Sequence, residues 1–291
     1  MLLVFSQELL SQNLVVDTTE IKKKDTINFK LKFYPGDTLV YIVKSGDSII
    51  IDYGKPLIKS RTEKIKIVCD SVNKDGHFYL TQSLIEFSST ESQGDEKNIE
   101  NKLSPWLNRN SVIVTDSVGN RISVFVNDSI NAALCPGGAF QPYLIFPFNA
   151  NKKAVNESWI ASSLDELVEN GVPFPLLRQS SLFRAKGIVD TLGDKCSRFE
   201  FIKTGQGSIP VVTEKEQFKV TNVINGFGVM DISITRNLPV HFYSSVEQKL
   251  TLHFPNDVTK PGLHYINSYF TLESLKHKKI NNNIKKIKKV R

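Results

Sequence analysis

The residues of this 291-residue chain with most capacity for chemistry are five histidines, three cysteines and a repeated Asp-Ser/Thr pair. His77, His241, His253, His264 and His277 have neither the HxH nor the HExxH spacing that brings two imidazoles to one metal. Scattered as they are, they read as packed or exposed polar side chains. Cys69, Cys135 and Cys196 form no CxxC and no Cys-His pair at metal-ligand spacing. One disulfide with a free thiol, or three buried thiols, both fit. Gly205-Gln206-Gly207 is followed by Ser208-Ile209-Pro210-Val211, a strand or turn. A phosphate cradle needs a helix there, its N–H groups facing the anion, so the segment reads as a hairpin loop. There is no Gly-x-Ser-x-Gly elbow. The expectation is no catalytic residue, no metal and no cofactor.

Aromatic side chains are the better candidates. Phe140, Tyr143, Phe146 and Phe148 lie in the Pro- and Gly-rich run Ala132–Phe148, and Phe199 and Phe201 share one face of a strand. Core packing is the default for such groups. If the sheets are open half-barrels, they line a cleft able to take an acyl chain or peptide. Phe140, Tyr143, Phe146, Phe199 and Phe201 are therefore the candidate ligand-binding residues.

The elements that must position them read as strands. Apolar residues make up 40% of the chain and charged ones 23%, an ordinary globular balance, and Phe alone occurs 18 times. Asn28–Phe33 and Lys249–Phe254 alternate apolar and polar, as half-buried strands do. Pro35-Gly36-Asp37 makes a turn, Ser45–Ser48 reads as another, and polar Ser88–Asn101 as an exposed loop. A phrase recurs three times: Val68-Cys69-Asp70-Ser71-Val72, Val114-Thr115-Asp116-Ser117-Val118 and Ile188-Val189-Asp190-Thr191-Leu192. Each runs into a turn (Asp75-Gly76, Gly119-Asn120, Gly193-Asp194) and then an alternating strand, which predicts three hairpins of similar build. The repeated Asp reads as a side chain that hydrogen-bonds backbone where a strand ends. No Asp-x-Asp-x-Asp-Gly loop accompanies it to make a calcium site. Ser163 with Glu166 three residues on has capping-box spacing, and Asn170-Gly171 supplies a stop, so one short helix is expected near 163–169.

The fold expected is thus mainly β, with antiparallel strands in two curved-sheet or half-barrel lobes, residues 25–148 (with the connector) and 149–275. The net charge of +7 resides in the tail: residues 276–291 hold eight Lys or Arg and no acid, leaving −1 for the rest. This excludes specific nucleic-acid binding by the body; the tail reads as a flexible terminus able to touch anionic surfaces. Residues 1–24 begin with Met1-Leu2-Leu3-Val4-Phe5, the end of a secretory apolar region without its positive start. This reads as an export-signal remnant. No stretch approaches the ~18 apolar residues of a spanning helix.

Pro35-Gly36-Asp37-Thr38, the strand end Asp75-Gly76 and the phrase Asn156-Glu157-Ser158-Trp159 resemble motifs of a group of uncharacterised secreted or lipid-anchored bacterial β-proteins. The last departs from them, with Asn where Gly is usual. Such proteins look like distant relatives of half-barrel lipoprotein carriers, whose curved sheet covers an apolar cleft. The resemblance implies a non-enzymatic extracytoplasmic protein (periplasm or cell surface) that binds a lipid, another apolar ligand or an envelope protein. A structural or assembly module of the envelope is the alternative, followed by an enzyme whose site is assembled from distant residues.

Overall fold

The structure is a computed structural model that describes residues 26–104, 106–126, 143–169, 172–212 and 217–277. The expected export remnant, Cys135, Phe140, Asn170-Gly171 and all of the basic tail beyond His277 lie outside them.

Among the described residues there are fourteen strands and no helix. In chain order they are β1 (Thr26–Asn28), β2 (Thr38–Ile51), β3 (Leu57–Val72), β4 (Phe78–Gln93), β5 (Glu96–Asn101), β6 (Asn110–Thr115) and β7 (Arg121–Val126). Then follow β8 (Lys152–Ala154), β9 (Ser158–Glu169), β10 (Val172–Thr191), β11 (Asp194–Val212), β12 (Gln217–Ser233), β13 (Pro239–His253) and β14 (Thr259–Lys276). β1 and β8 form a small sheet of their own. The rest form one open antiparallel sheet in the order β7-β6-β4-β3-β2-β14-β13-β12-β11-β10-β9, with β5 beside β4. Strands β2 to β7 make one meander and β9 to β14 another, and pairing of β2 with β14 joins the two.

Register places inner-face residues of successive strands in rows. One row runs Ala185, Phe199, Met230, Phe242, Phe270, Val43, Glu63 and Phe87. The next runs Phe183, Phe201, Gly228, Ser244, Ser268, Ser45, Arg61 and Ser89. The first row stays apolar as far as Val43, whereas the second is aromatic on β10 and β11 and turns polar across β13, β14, β2 and β3. Phe29, Leu31 and Phe33 are buried in alternation, but the strand expected over Asn28–Phe33 ends at Asn28, the last residue of β1. They pack on that face from outside the sheet, the backbone N–H of Leu31 donating to Ser117 and that of Lys32 to Asn237.

All three repeated phrases form hairpins: β3–β4, β6–β7 and β10–β11. The first two aspartates behave differently. Asp116 accepts from the backbone of Val118 and Asn120, closing its turn as expected. Asp70 accepts instead from the hydroxyl of Thr81 on the neighbouring strand, at 2.6 Å. In the third hairpin Thr191 pairs with Asp194, so the turn is Leu192-Gly193, one residue earlier than expected, and both have positive φ (54° and 79°).

Four further expectations are corrected. Residues 163–169 are strand, not helix: β9 pairs with β10 along its whole length, from Ser158 opposite Arg184 to Glu169 opposite Val172. A seven-residue helix is marginal alone, and long-range pairing outweighs its capping signal. Ser45–Ser48 lie inside β2, because neighbours on both sides bond that stretch and Ser45 and Asp47 face inward. Ser88–Asn101 is mostly strand, the end of β4 and all of β5. Gly205–Gly207 sit within β11, where a Cβ on Gly205 would stand 2.8 Å from the carbonyl oxygen of Arg178.

Candidate functional site

The segment 143–150 is built of Pro and apolar residues and does not join the sheet. Its Leu144, Ile145, Phe148 and Ala150 are buried. Three contacts hold it against the inner face. The backbone N–H of Phe148 donates to Val118, and the indole N–H of Trp159 donates to the carbonyl of Phe148. Gly119, at φ +80°, lies against the Phe146 carbonyl so closely that a Cβ there would meet its oxygen at 2.0 Å. The segment is thus wedged between the β6–β7 turn and β9.

Phe146 is the ring this wedge delivers. Its centroid stands 6.2 Å from Phe183, 6.3 Å from Phe199, 5.3 Å from Phe201 and 5.4 Å from Phe242. Beside it lies a cavity of about 40 Å³, lined also by Tyr143, Phe201, Phe242, Arg121 and Lys203. That is room for one or two waters. Arg121 belongs to edge strand β7, and Ala161 and Ser163, which also line the cavity, belong to edge strand β9. One cavity touched by both ends of the sheet means that the sheet curls until its edges approach. The Arg121 guanidinium lies over the Tyr143 ring at 3.8 Å.

Of the residues chosen from sequence, Tyr143, Phe146 and Phe201 line this cavity. Phe199 is fully buried in the row below and meets the site only through its contact with the Phe146 ring. Sequence reasoning missed Phe183, Phe242, Arg121 and Lys203. Alternation could have placed Phe183 and Phe242 on the inner face, but which strands lie side by side is a matter of register.

Further along the inner face is a buried ionic group. Arg61 donates through Nε to Asp47 Oδ2 at 2.8 Å and through Nη1 to Glu63 at 3.3 Å. His264 Nε2 lies 3.0 Å from Asp47 Oδ1. Burial pushes the Asp47 carboxyl up, but the His264 hydrogen bond and the Arg61 charge outweigh it and hold the group below the usual carboxylate range. Glu63 goes the other way: burial dominates and leaves its carboxyl above that range. None of these residues lines the aromatic cavity. The thiols of Cys69 and Cys196 are free and buried, and burial pushes both up to about 12, so they are poor nucleophiles. Among the described residues no three His, Cys, Asp or Glu side chains gather as a metal site.

The opposite face carries two features. A groove of about 470 Å³ crosses β9 to β13 beside Leu164, Arg178, Gln206, Val223 and Lys249. Ile160, Leu182, Ile202 and Phe227, opposite one another on β9 to β12, are 70%, 44%, 58% and 53% exposed.

No family model matches the chain. None of the curated proteins matches it either. Among solved structures it is similar to one described as "Lipid-protein interactions in lipovitellin", with a TM-score of 0.42 and 11% identity over 84% of this chain. The chain spans 26% of that one, about a quarter of its length.

Proposed function

We propose that this is a non-enzymatic extracytoplasmic binding protein that takes the apolar part of a lipid-like ligand into the aromatic cleft under Phe146. The observation that carries the reading is the Phe146 ring itself. It is offered by a segment outside the sheet and covers three inner-face rings, Phe183, Phe201 and Phe242. Each contact is dispersive and undirected, so an alkyl chain can take its place at similar free energy. Burying apolar surface contributes about 25 cal/mol per Å², which makes such an exchange nearly balanced before the ligand's own burial is added. The extracytoplasmic assignment draws support from the apolar start Met1–Phe5. The test is native mass spectrometry of protein purified from its own compartment, before and after lipid extraction. The reading expects a bound apolar species that extraction removes; protein that carries none and takes up none afterwards counts against it.

The exposed apolar row from Ile160 to Phe227 favours a second reading. Together with the open edge of β9 it suits an envelope assembly module that associates by strand pairing. Substituting Ile160→Lys and Leu182→Lys would dissociate such an assembly in light scattering while leaving lipid uptake intact.

A further inference from the structure

Independently of the cleft under Phe146, we propose that the opposite face of the sheet seats the protein on an anionic lipid bilayer. Ile160, Leu182, Ile202 and Phe227 enter the interface, and Arg178 and Lys249 meet the lipid head groups. The four apolar residues come one from each of β9 to β12 and stand opposite one another in register. At the usual strand spacing they form a ridge about 14 Å long. Exposed apolar residues scattered singly need no explanation, but a contiguous row marks a contact surface.

Aromatic rings extend the ridge on one side. The Tyr243 centroid lies 6.1 Å from that of Phe227 and 4.7 Å from that of Tyr269, which is exposed. A tyrosine has an apolar body and a polar tip, which suits the depth of lipid head groups.

Charge is what favours a bilayer over a second copy of the chain. On the other side of the ridge comes a neutral row, Ser162, Ser180, Thr204 and Asn225. The row after that contains Arg178 and Lys249, about 14 Å from the ridge along the strands and both exposed. Lys219 is exposed farther along β12 on the same face, and Arg184 is exposed on the Tyr243 side. The acids of the flanking rows stand by lysines, Glu200 at 3.2 Å from Lys186 and Glu247 at 4.0 Å from Lys249. Among the described residues of β9 to β13, this face carries no acidic row to receive those cations from a second copy. An anionic bilayer meets them on both flanks while it takes the apolar ridge between them. Long basic side chains reach the head groups while their stems cover apolar surface.

The test is flotation of the full-length protein with vesicles of phosphatidylcholine, alone or with about one third phosphatidylglycerol. The expected result is binding to the mixed vesicles at least tenfold tighter than to phosphatidylcholine, weakened by high salt. The Ile202→Ser/Phe227→Ser variant should lose at least tenfold on mixed vesicles, and Arg178→Gln/Lys249→Gln should lose the preference for them. All four side chains are exposed, so both variants should keep the wild-type thermal midpoint. The basic tail is present throughout, so binding by the tail alone would be unchanged in both variants. That result overturns the proposal, as does equal binding to the two vesicles or binding to neither. A wild-type dimer in light scattering that Ile202→Ser/Phe227→Ser dissociates also overturns it, and gives the ridge to a second copy.

Discussion

His264 and Asp47 meet at 3.0 Å although 217 residues of chain separate them. The contact joins β14 to β2 where the two meanders come together, and Arg61 extends it to β3. Tyr41 adds a second tie nearby in β2, its hydroxyl donating to the Pro239 carbonyl. Closing the sheet at this seam depends on buried polar groups as well as on apolar packing.

The ionic group predicts opposite effects for its two carboxylates. Asp47 has a folded value below its unfolded one, so its contribution is complete above roughly pH 4 and is lost as pH falls through the folded value. Glu63 has a raised folded value, so its contribution is present at acid pH and is lost as pH rises through that value. Asp47→Asn should therefore cost about 3 kcal/mol at neutral pH, since it leaves Arg61 short of a buried partner. Glu63→Gln should be neutral or stabilising there. Thermal midpoints of both variants between about pH 3 and pH 8 check this; equal losses would contradict it.

Asp231 is fully buried and takes two bonds from Arg198, each 2.7 Å, and one from Thr191 at 2.9 Å. Burial alone would raise its carboxyl, but the Arg198 bonds prevail and hold it at about 2. The lowered value contributes about 2 kcal/mol above the unfolded pKa, lost as pH falls from about 4 towards 2. Asp231→Asn should be less stable at pH 7 and show a flatter loss of stability over that acid range in denaturant titrations.

Leu192 occupies a left-handed position in the β10–β11 turn and is 65% exposed. A two-residue turn with both φ positive prefers Asn-Gly, and a branched residue there is strained by ~1 kcal/mol. Leu192→Asn should raise stability by about 0.5–1 kcal/mol, seen as a higher denaturation midpoint at unchanged slope.

Gly119→Ala should do the reverse. The new methyl would both occupy a positive φ and strike the Phe146 carbonyl. A loss of roughly 2 kcal/mol or more is expected. Because the Trp159 indole bonds the Phe148 carbonyl, shifting the segment should also change Trp159 fluorescence. An unchanged spectrum would mean that the wedge is not seated by this contact.

Much of the strand content was legible because period-two alternation is local, as in Lys249–His253 of β13; the same alternation over Phe29, Leu31 and Phe33 gave burial without a strand. The hairpins followed from Gly76, Gly119 and Gly193, whose positive φ their residue type permits. The Ser163–Glu166 signal misled because it too is local, while the pairing of β9 with β10 that overrides it is not. Likewise Ser45 and Asp47 look like turn residues until Ser268 and Arg61 are seen to satisfy them. At the site, Phe146 and Phe201 could be chosen by type. Arg121 and Lys203 lie 82 positions apart on strands that converge only because the sheet curls.

The most direct test of the cleft is saturable uptake of 1-dodecanol by delipidated protein, followed through Trp159 emission and compared with Ser163→Trp, which fills the cavity from its rim. The account predicts one-to-one binding by the wild-type chain and its loss in the variant, with the thermal midpoint unchanged. Absence of saturable binding in the wild-type protein, or equal binding by the filled variant, would contradict it.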